Sequence, residues 1–193
     1  MSDGFGLILP SDPFVLPVVP GGANYYDNAA FDGGLATFSM TALTMVANRL
    51  YATPIVLPAG TYDRVGILVG SGGGSGKLAR VLLYAPNGAL PDALILDPGS
   101  DLDANTIANP EHTINLVIGK PTLLIAAIWS DGTPQIGGWT VPGRNWWGSA
   151  SGSAGRQAMI YHTGYTYGST PASFGSVTAY VASVVPRVRF RAA

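Results

Sequence analysis

Between residues 49 and 129 the apolar positions fall in short alternating runs, separated by Gly, Pro and Asn-Gly, and almost no charge interrupts them. Runs of this kind read as strands of one antiparallel β-sandwich. In 62–69, Val65, Ile67 and Val69 share one face, and Asp63 begins the same row at the strand's edge. In 112–118, Ile114, Leu116 and Ile118 alternate with Thr113 and Asn115, which is the pattern of a half-buried strand. Residues 122–129 are apolar on both faces and suit a central strand. Asn87-Gly88 and Asp131-Gly132 are hairpin-turn signals. Further strands are expected near 157–163, 177–184 and 186–191. Helix signals are scarce, since one Glu and two Lys stand against 26 Gly and 15 Pro. The pattern predicts an all-β fold, an antiparallel β-sandwich of jelly-roll type.

Two regions flank the strand-rich middle. Residues 1–35 are rich in Pro and Gly and keep no steady period, so they read as an extended N-terminal arm. Phe5, Leu7, Phe14, Tyr25 and Tyr26 are its candidate anchoring residues, with a neighbouring subunit or scaffold as the expected dock. Residues 36–193 form the sandwich domain, whose last third, 139–193, is aromatic-rich and includes the Gly/Ser loop GSASGSAG at 148–155.

Composition narrows the function classes. Charged residues make up 11% of the chain, against about 25% in typical soluble domains. Hydrophobic residues reach 47%, which argues against disorder, so uncharged and apolar atoms must cover the surface. Surfaces of that kind are common where much of the area lies against other subunits. A net charge of −1 offers no electrostatic footprint for nucleic acid or an anionic membrane. The absence of Cys removes disulfides, thiolate nucleophiles and cysteine-metal sites. Asp3 stands where a signal peptide would carry Lys or Arg, and Pro10, Pro13, Pro17 and Pro20 break any apolar helix. No signal peptide and no membrane span is therefore expected.

SGGGSGK at 71–77 has Ser71 where a phosphate loop needs Gly and Leu78 where it needs Ser or Thr, and a strand follows it. It reads as a strand-to-strand loop. Asp101, Asp103 and Asn105 have the every-second-residue spacing of calcium-loop oxygens, but Thr106 replaces the loop Gly and His112 the closing Glu. They are a weak calcium candidate against an acidic solvated loop. His112 and His162 lack a partner His at metal-ligand spacing, and GSASG at 148–152 carries Ala150 where a nucleophilic Ser would stand. Asp92, Asp97 and Asp131 read as turn formers. No catalytic residues, no resident metal and no cofactor are assigned.

The aromatic cluster is the most site-like feature. Trp139, Trp146 and Trp147 flank a turn containing Arg144 and Asn145, and Tyr161, Tyr165 and Tyr167 follow. Rings beside Asn and Arg suit a sugar, whose C–H faces stack while its hydroxyls seek polar partners. Subunit contact and core filling are equally physical roles for the same rings. At the C-terminus, PRVRFRAA places Val188 and Phe190 on one face and Arg187, Arg189 and Arg191 on the other. Such a face either meets an acidic partner or serves as a charged outer surface that resists aggregation, and the second is favoured.

The runs YATPIVLPAGTYDRVGILV, RVLLYAPNGALPDALILDPG and KPTLLIAAIWSDG together resemble β-sandwich modules of tailed-bacteriophage virion proteins, of the tail-fibre, receptor-binding and head-fibre or decoration types. The resemblance spans roughly residues 49–140 and rests on spacing and turn composition. It implies a jelly-roll-like module, a homo-oligomer that is often trimeric, a virion location, and attachment to other virion proteins through residues 1–35. It carries no functional residues over. A non-enzymatic structural protein is expected. The alternative is a carbohydrate-binding module that contacts a host surface glycan through the Trp/Tyr cluster.

Overall fold

The computed structural model describes residues 24–28, 39–88, 90–140, 159–181 and 184–193. Among them, antiparallel strands, numbered in chain order, dominate and no α-helix occurs. No helix of the described residues is long and apolar enough to cross a membrane.

The framework is a single ribbon folded back on itself. Strand β6 (Leu78–Asn87) turns at Gly88 into β7 (Leu90–Leu96), and Asn87 pairs with Leu90 across a two-residue connection. Gly88 holds φ at 61°, the left-handed conformation that hairpin turns require and Gly adopts without penalty. The pairing stays symmetrical about this turn along the whole ribbon. Val69, in β5 (Val69–Ser71), bridges Ala108. Gly60, in β4 (Gly60–Ile67), faces Ile118 of β9 (Glu111–Ile118). Leu57, in β3 (Leu50–Leu57), faces Thr122 of β10 (Thr122–Ser130). A long hairpin whose successive segments alternate between two layers is the jelly-roll plan, and it spans the same segment whose strand pattern is clearest in the sequence.

Later strands widen the layers. One sheet runs β1 (Tyr25–Asp27), β15 (Val188–Ala192), β4, β9. The facing sheet runs β13 (Ala179–Val181), β12 (Met159–His162), β3, β10, β6, β7, with β8 (Leu102–Asp103) also on β6. A third, small sheet joins β14 (Val184–Pro186), β11 (Gln135–Thr140) and β2 (Ser39–Thr44), with β5 beside β11. The main core lies between these layers and contains Tyr62, Val65, Ile67, Leu116, Ile128, Ile136 and Phe190.

Strand β10 is central, as its two apolar faces require, since it sits between β3 and β6. Leu124, Ala126 and Ile128 enter the main core. Ile125, Ala127 and Trp129 point the other way into a second core with Leu82, Tyr84, Ile160 and Phe174. The facing sheet is therefore buried on both sides over this stretch, and a continuous apolar run is what such a strand needs.

Three expectations change. Tyr25 and Tyr26 belong to a strand of the chain's own sandwich, where β1 pairs Tyr25 with Arg191 and Tyr26 with Phe190. The Tyr26 ring meets Tyr62 edge-on at 6.0 Å, so the sandwich begins before residue 35. Phe5, Leu7 and Phe14 lie outside the described residues. Asp131-Gly132 makes no hairpin, because β10 and β11 lie in different sheets and the turn carries the chain between them. Asp131 Oδ1 accepts from the Leu78 amide there, and Ser130 Oγ accepts from the Gly132 amide. In β4 a register shift between Tyr62 and Arg64 places Tyr62 in the core at the foot of the Val65–Ile67 row, and Asp63 faces outward. A bulge lets one strand present inward residues of both parities.

Candidate functional site

Among the described residues, Trp139 stands apart from Tyr161, Tyr165 and Tyr167. Trp139 is half-buried in β11 on the small sheet, with the Arg187 guanidinium 5.1 Å from its ring. Tyr161, Tyr165 and Tyr167 belong to the facing sheet and the segment that follows it. Arg144, Asn145, Trp146 and Trp147 lie outside the described residues.

Residues 163–178 are a cover laid over the outer face of the facing sheet. Phe174 is completely buried and meets the Tyr84 ring edge-on at 5.9 Å. Backbone bonds fasten the cover to β7, with the Leu94 amide donating to Ala172 O at 2.9 Å and the Phe174 amide to Asp92 O at 3.2 Å. The Tyr84 hydroxyl donates to Pro171 O, and the Tyr165 hydroxyl to Ser173 O. Burial pushes the Tyr84 phenol well above the ordinary tyrosine range.

Arg80 ties the same cover to the acidic loop. Its Nε donates to Asp101 Oδ1 at 2.7 Å and its Nη1 to Thr170 Oγ1 at 2.8 Å, with Asp97 3.6 Å away. The Tyr167 hydroxyl donates to the same Asp101 oxygen at 2.7 Å, and its ring lies 5.0 Å from Trp129. Burial acts to raise the Asp101 pKa, but the hydrogen bonds from Arg80 and Tyr167 and the charge of Arg80 outweigh it. The carboxyl is held below its usual range, so Asp101 stays ionised. Burial, reinforced by Asp101, pushes the Tyr167 phenol up, so it stays a donor. Tyr167 is thus committed to packing and to a charge-assisted bond.

The calcium candidate is similarly committed. Asp101 serves Arg80 and Tyr167, Asp103 Oδ1 accepts from the Asn105 amide, and Asn105 Oδ1 accepts from the Lys77 amide. Among the described residues, no group of three or more His, Asp or Glu side chains could hold a metal ion. Asp97 accepts from the Gly99 amide, as a turn-forming Asp does. His112 Nδ1 lies 3.2 Å from Ser100 Oγ, but its Nε2 is buried without a partner. A nucleophile–base pair needs a third group to orient the base, and none stands there among the described residues.

The outer face of the sheet carrying β15 accounts for the C-terminal arginines. Arg187 pairs with Asp27 at 2.7 Å, Arg189 with Glu111 at 3.2 Å and Arg191 with Asp63 at 2.6 Å. Val188, Phe190 and Ala192 are buried on the opposite face. The acidic partners of these arginines come from neighbouring strands of the same chain.

Among the described residues, an open cleft of about 280 Å³ lies between the turn at 46–49 and the segment 163–166. Its walls include Asn48, Arg49, Thr163, Tyr165 and Thr166. Asn48 is the one positive-φ non-Gly residue among the described positions, at 61°. Its Oδ1 accepts from the Tyr167 amide at 2.9 Å and so ties the two walls together. The Arg49 guanidinium lies 4.1 Å from the Tyr161 ring centroid and 5.8 Å from that of Tyr51. The His162 ring lies 4.5 Å from the Tyr165 ring. Of the aromatic residues singled out from the sequence, this cleft gathers Tyr165 at its wall and Tyr161 under Arg49. Sequence reasoning missed Asn48 and Arg49, whose only signal was a cation just ahead of an apolar strand in a chain poor in charge. Neither a known protein-family model nor a curated protein matches the sequence.

Proposed function

We propose that the chain is a non-enzymatic structural protein of a phage or phage-like particle, anchored through its N-terminal segment and displaying its β-sandwich as a fibre, spike or decoration. The observation that carries this reading is the folded-over ribbon of residues 50–130, a jelly-roll plan built on the same stretch that resembles virion modules. The commitment of polar groups agrees with it. Asp101, Asp63, Glu111 and Asp27 each pair with an arginine and hold strands or cover in place. A trimer attached to other virion proteins, in a virion assembled in the host cytoplasm, is the corresponding assembly.

Because β1 completes the sandwich, the anchoring segment is the part ahead of it. Deleting residues 2–23 should leave thermal unfolding unchanged and abolish incorporation of the protein into particles. Equal incorporation of the deleted and full chains would overturn the anchoring role.

A further inference from the structure

We infer that the cleft between residues 46–49 and 163–166 is a binding site for a hexuronic acid unit, with Arg49 as its carboxylate receptor and Tyr165 as its stacking wall. Arg49 lines the cleft and, unlike four other arginines of the chain, answers no carboxylate among the described residues. Arg80, Arg187, Arg189 and Arg191 each have a carboxylate within 2.6–3.2 Å. Arg49 has no carboxylate partner among the described residues, and its Nε is buried without any acceptor. The Tyr161 and Tyr51 rings and a hydrogen bond to the Tyr51 hydroxyl hold the guanidinium in place instead. A stacked guanidinium is preorganised, and its planar fork of donors matches a carboxylate.

The rest of the cleft specifies what the carboxylate is attached to. Tyr165 offers an aromatic wall for a C–H face, while the exposed Thr163 and Thr166 bring polar groups to the same rim. The volume, about 280 Å³, falls just below the range of drug-sized ligand sites, about 300 to 1,000 Å³. It suits one ring-sized unit and not a long chain. Asn48, in the left-handed turn conformation that Asn adopts readily, joins the two walls through its side chain. Charge, ring and hydroxyl requirements together describe a sugar acid. A neutral hexose would leave Arg49 unanswered, and a simple carboxylate would leave Tyr165 unused.

The test is titration of the full chain with D-glucuronate, D-glucose and acetate, followed by ligand-observed NMR and calorimetry. Saturable glucuronate binding is expected, at least tenfold tighter than either control. Arg49→Gln should weaken it tenfold or more. Thr166→Trp fills the cleft from an exposed position that carries no part of the core, and it should abolish binding with an unchanged melting temperature. Absence of saturable glucuronate binding, equal affinity for acetate, or full binding by Thr166→Trp would each overturn the inference. It does not rest on the particle assignment, whose test reads incorporation and can fail separately.

Discussion

Phe174→Ala tests whether residues 163–178 are an integral cover of the sandwich. Phe174 has no solvent exposure and shares its core with Leu82, Tyr84, Ile125, Ala127 and Trp129. Truncating a buried Phe to Ala costs about 3–5 kcal/mol through lost transfer energy and the cavity left behind. A domain of 150–250 residues loses about 2–4 °C of melting temperature per kcal/mol, so the expected drop is on the order of 10 °C. Circular dichroism melting reads that drop directly. Hydrogen exchange locates it, because the amides of Leu94 and Phe174 bond across the cover and should exchange faster, while those of β4 and β9 stay protected. A drop below about 2 °C, with unchanged exchange at Leu94, would show that the second core contributes little and that the cover is an ordinary surface loop.

Other perturbations follow from the same geometry. A Cβ added at Gly72 would stand 1.6 Å from the Asn105 carbonyl oxygen, whereas one at Gly119 meets nothing within 4 Å. Gly72→Ala should therefore lower the denaturation midpoint sharply and Gly119→Ala leave it unchanged, and equal midpoints would contradict the backbone packing. The Asp101 and Asp63 carboxyls titrate below their unfolded values. In acid the unfolded chain binds more protons, so their stabilisation is complete above about pH 4 and is lost as pH falls further. Asp101→Asn should flatten that acid limb in pH-dependent melting, and an unchanged limb would refute the role of the Arg80 network. The phenols of Tyr62, Tyr84 and Tyr167 titrate above their unfolded value. Their stabilisation is complete below about pH 10 and falls as pH rises beyond it. Tyrosinate absorbance should appear together with unfolding, and phenol ionisation in a still-folded protein would contradict their burial.

Much of the fold was legible because the ribbon obeys local rules. The Val65–Ile67 row, the Ile114–Leu116–Ile118 alternation and the two-faced apolar run of β10 each report burial residue by residue, and Gly88 supplies the turn on which the ribbon folds. What stayed hidden depends on distant partners. Tyr25, Tyr26 and Asp27 form a three-residue strand only because β15 lies alongside, and nothing local distinguishes them from an arm. Asp131-Gly132 has the composition of a hairpin turn, yet the neighbours of β10 were already taken by β3 and β6. The cover of residues 163–178 has no period to read, since irregular bonds to β7 and to Arg80 hold it. The aromatic cluster was visible as composition, but the sequence could not show that Tyr167 spends its hydroxyl on Asp101 while Tyr165 lines a cleft.

The structural role is tested most directly by density-gradient fractionation of particles released from the producing cells, with peptide mass spectrometry across the gradient. The account predicts peptides of this chain in the particle band at a constant ratio to the major particle proteins. Their confinement to the soluble fractions, with none in the particle band, would contradict it.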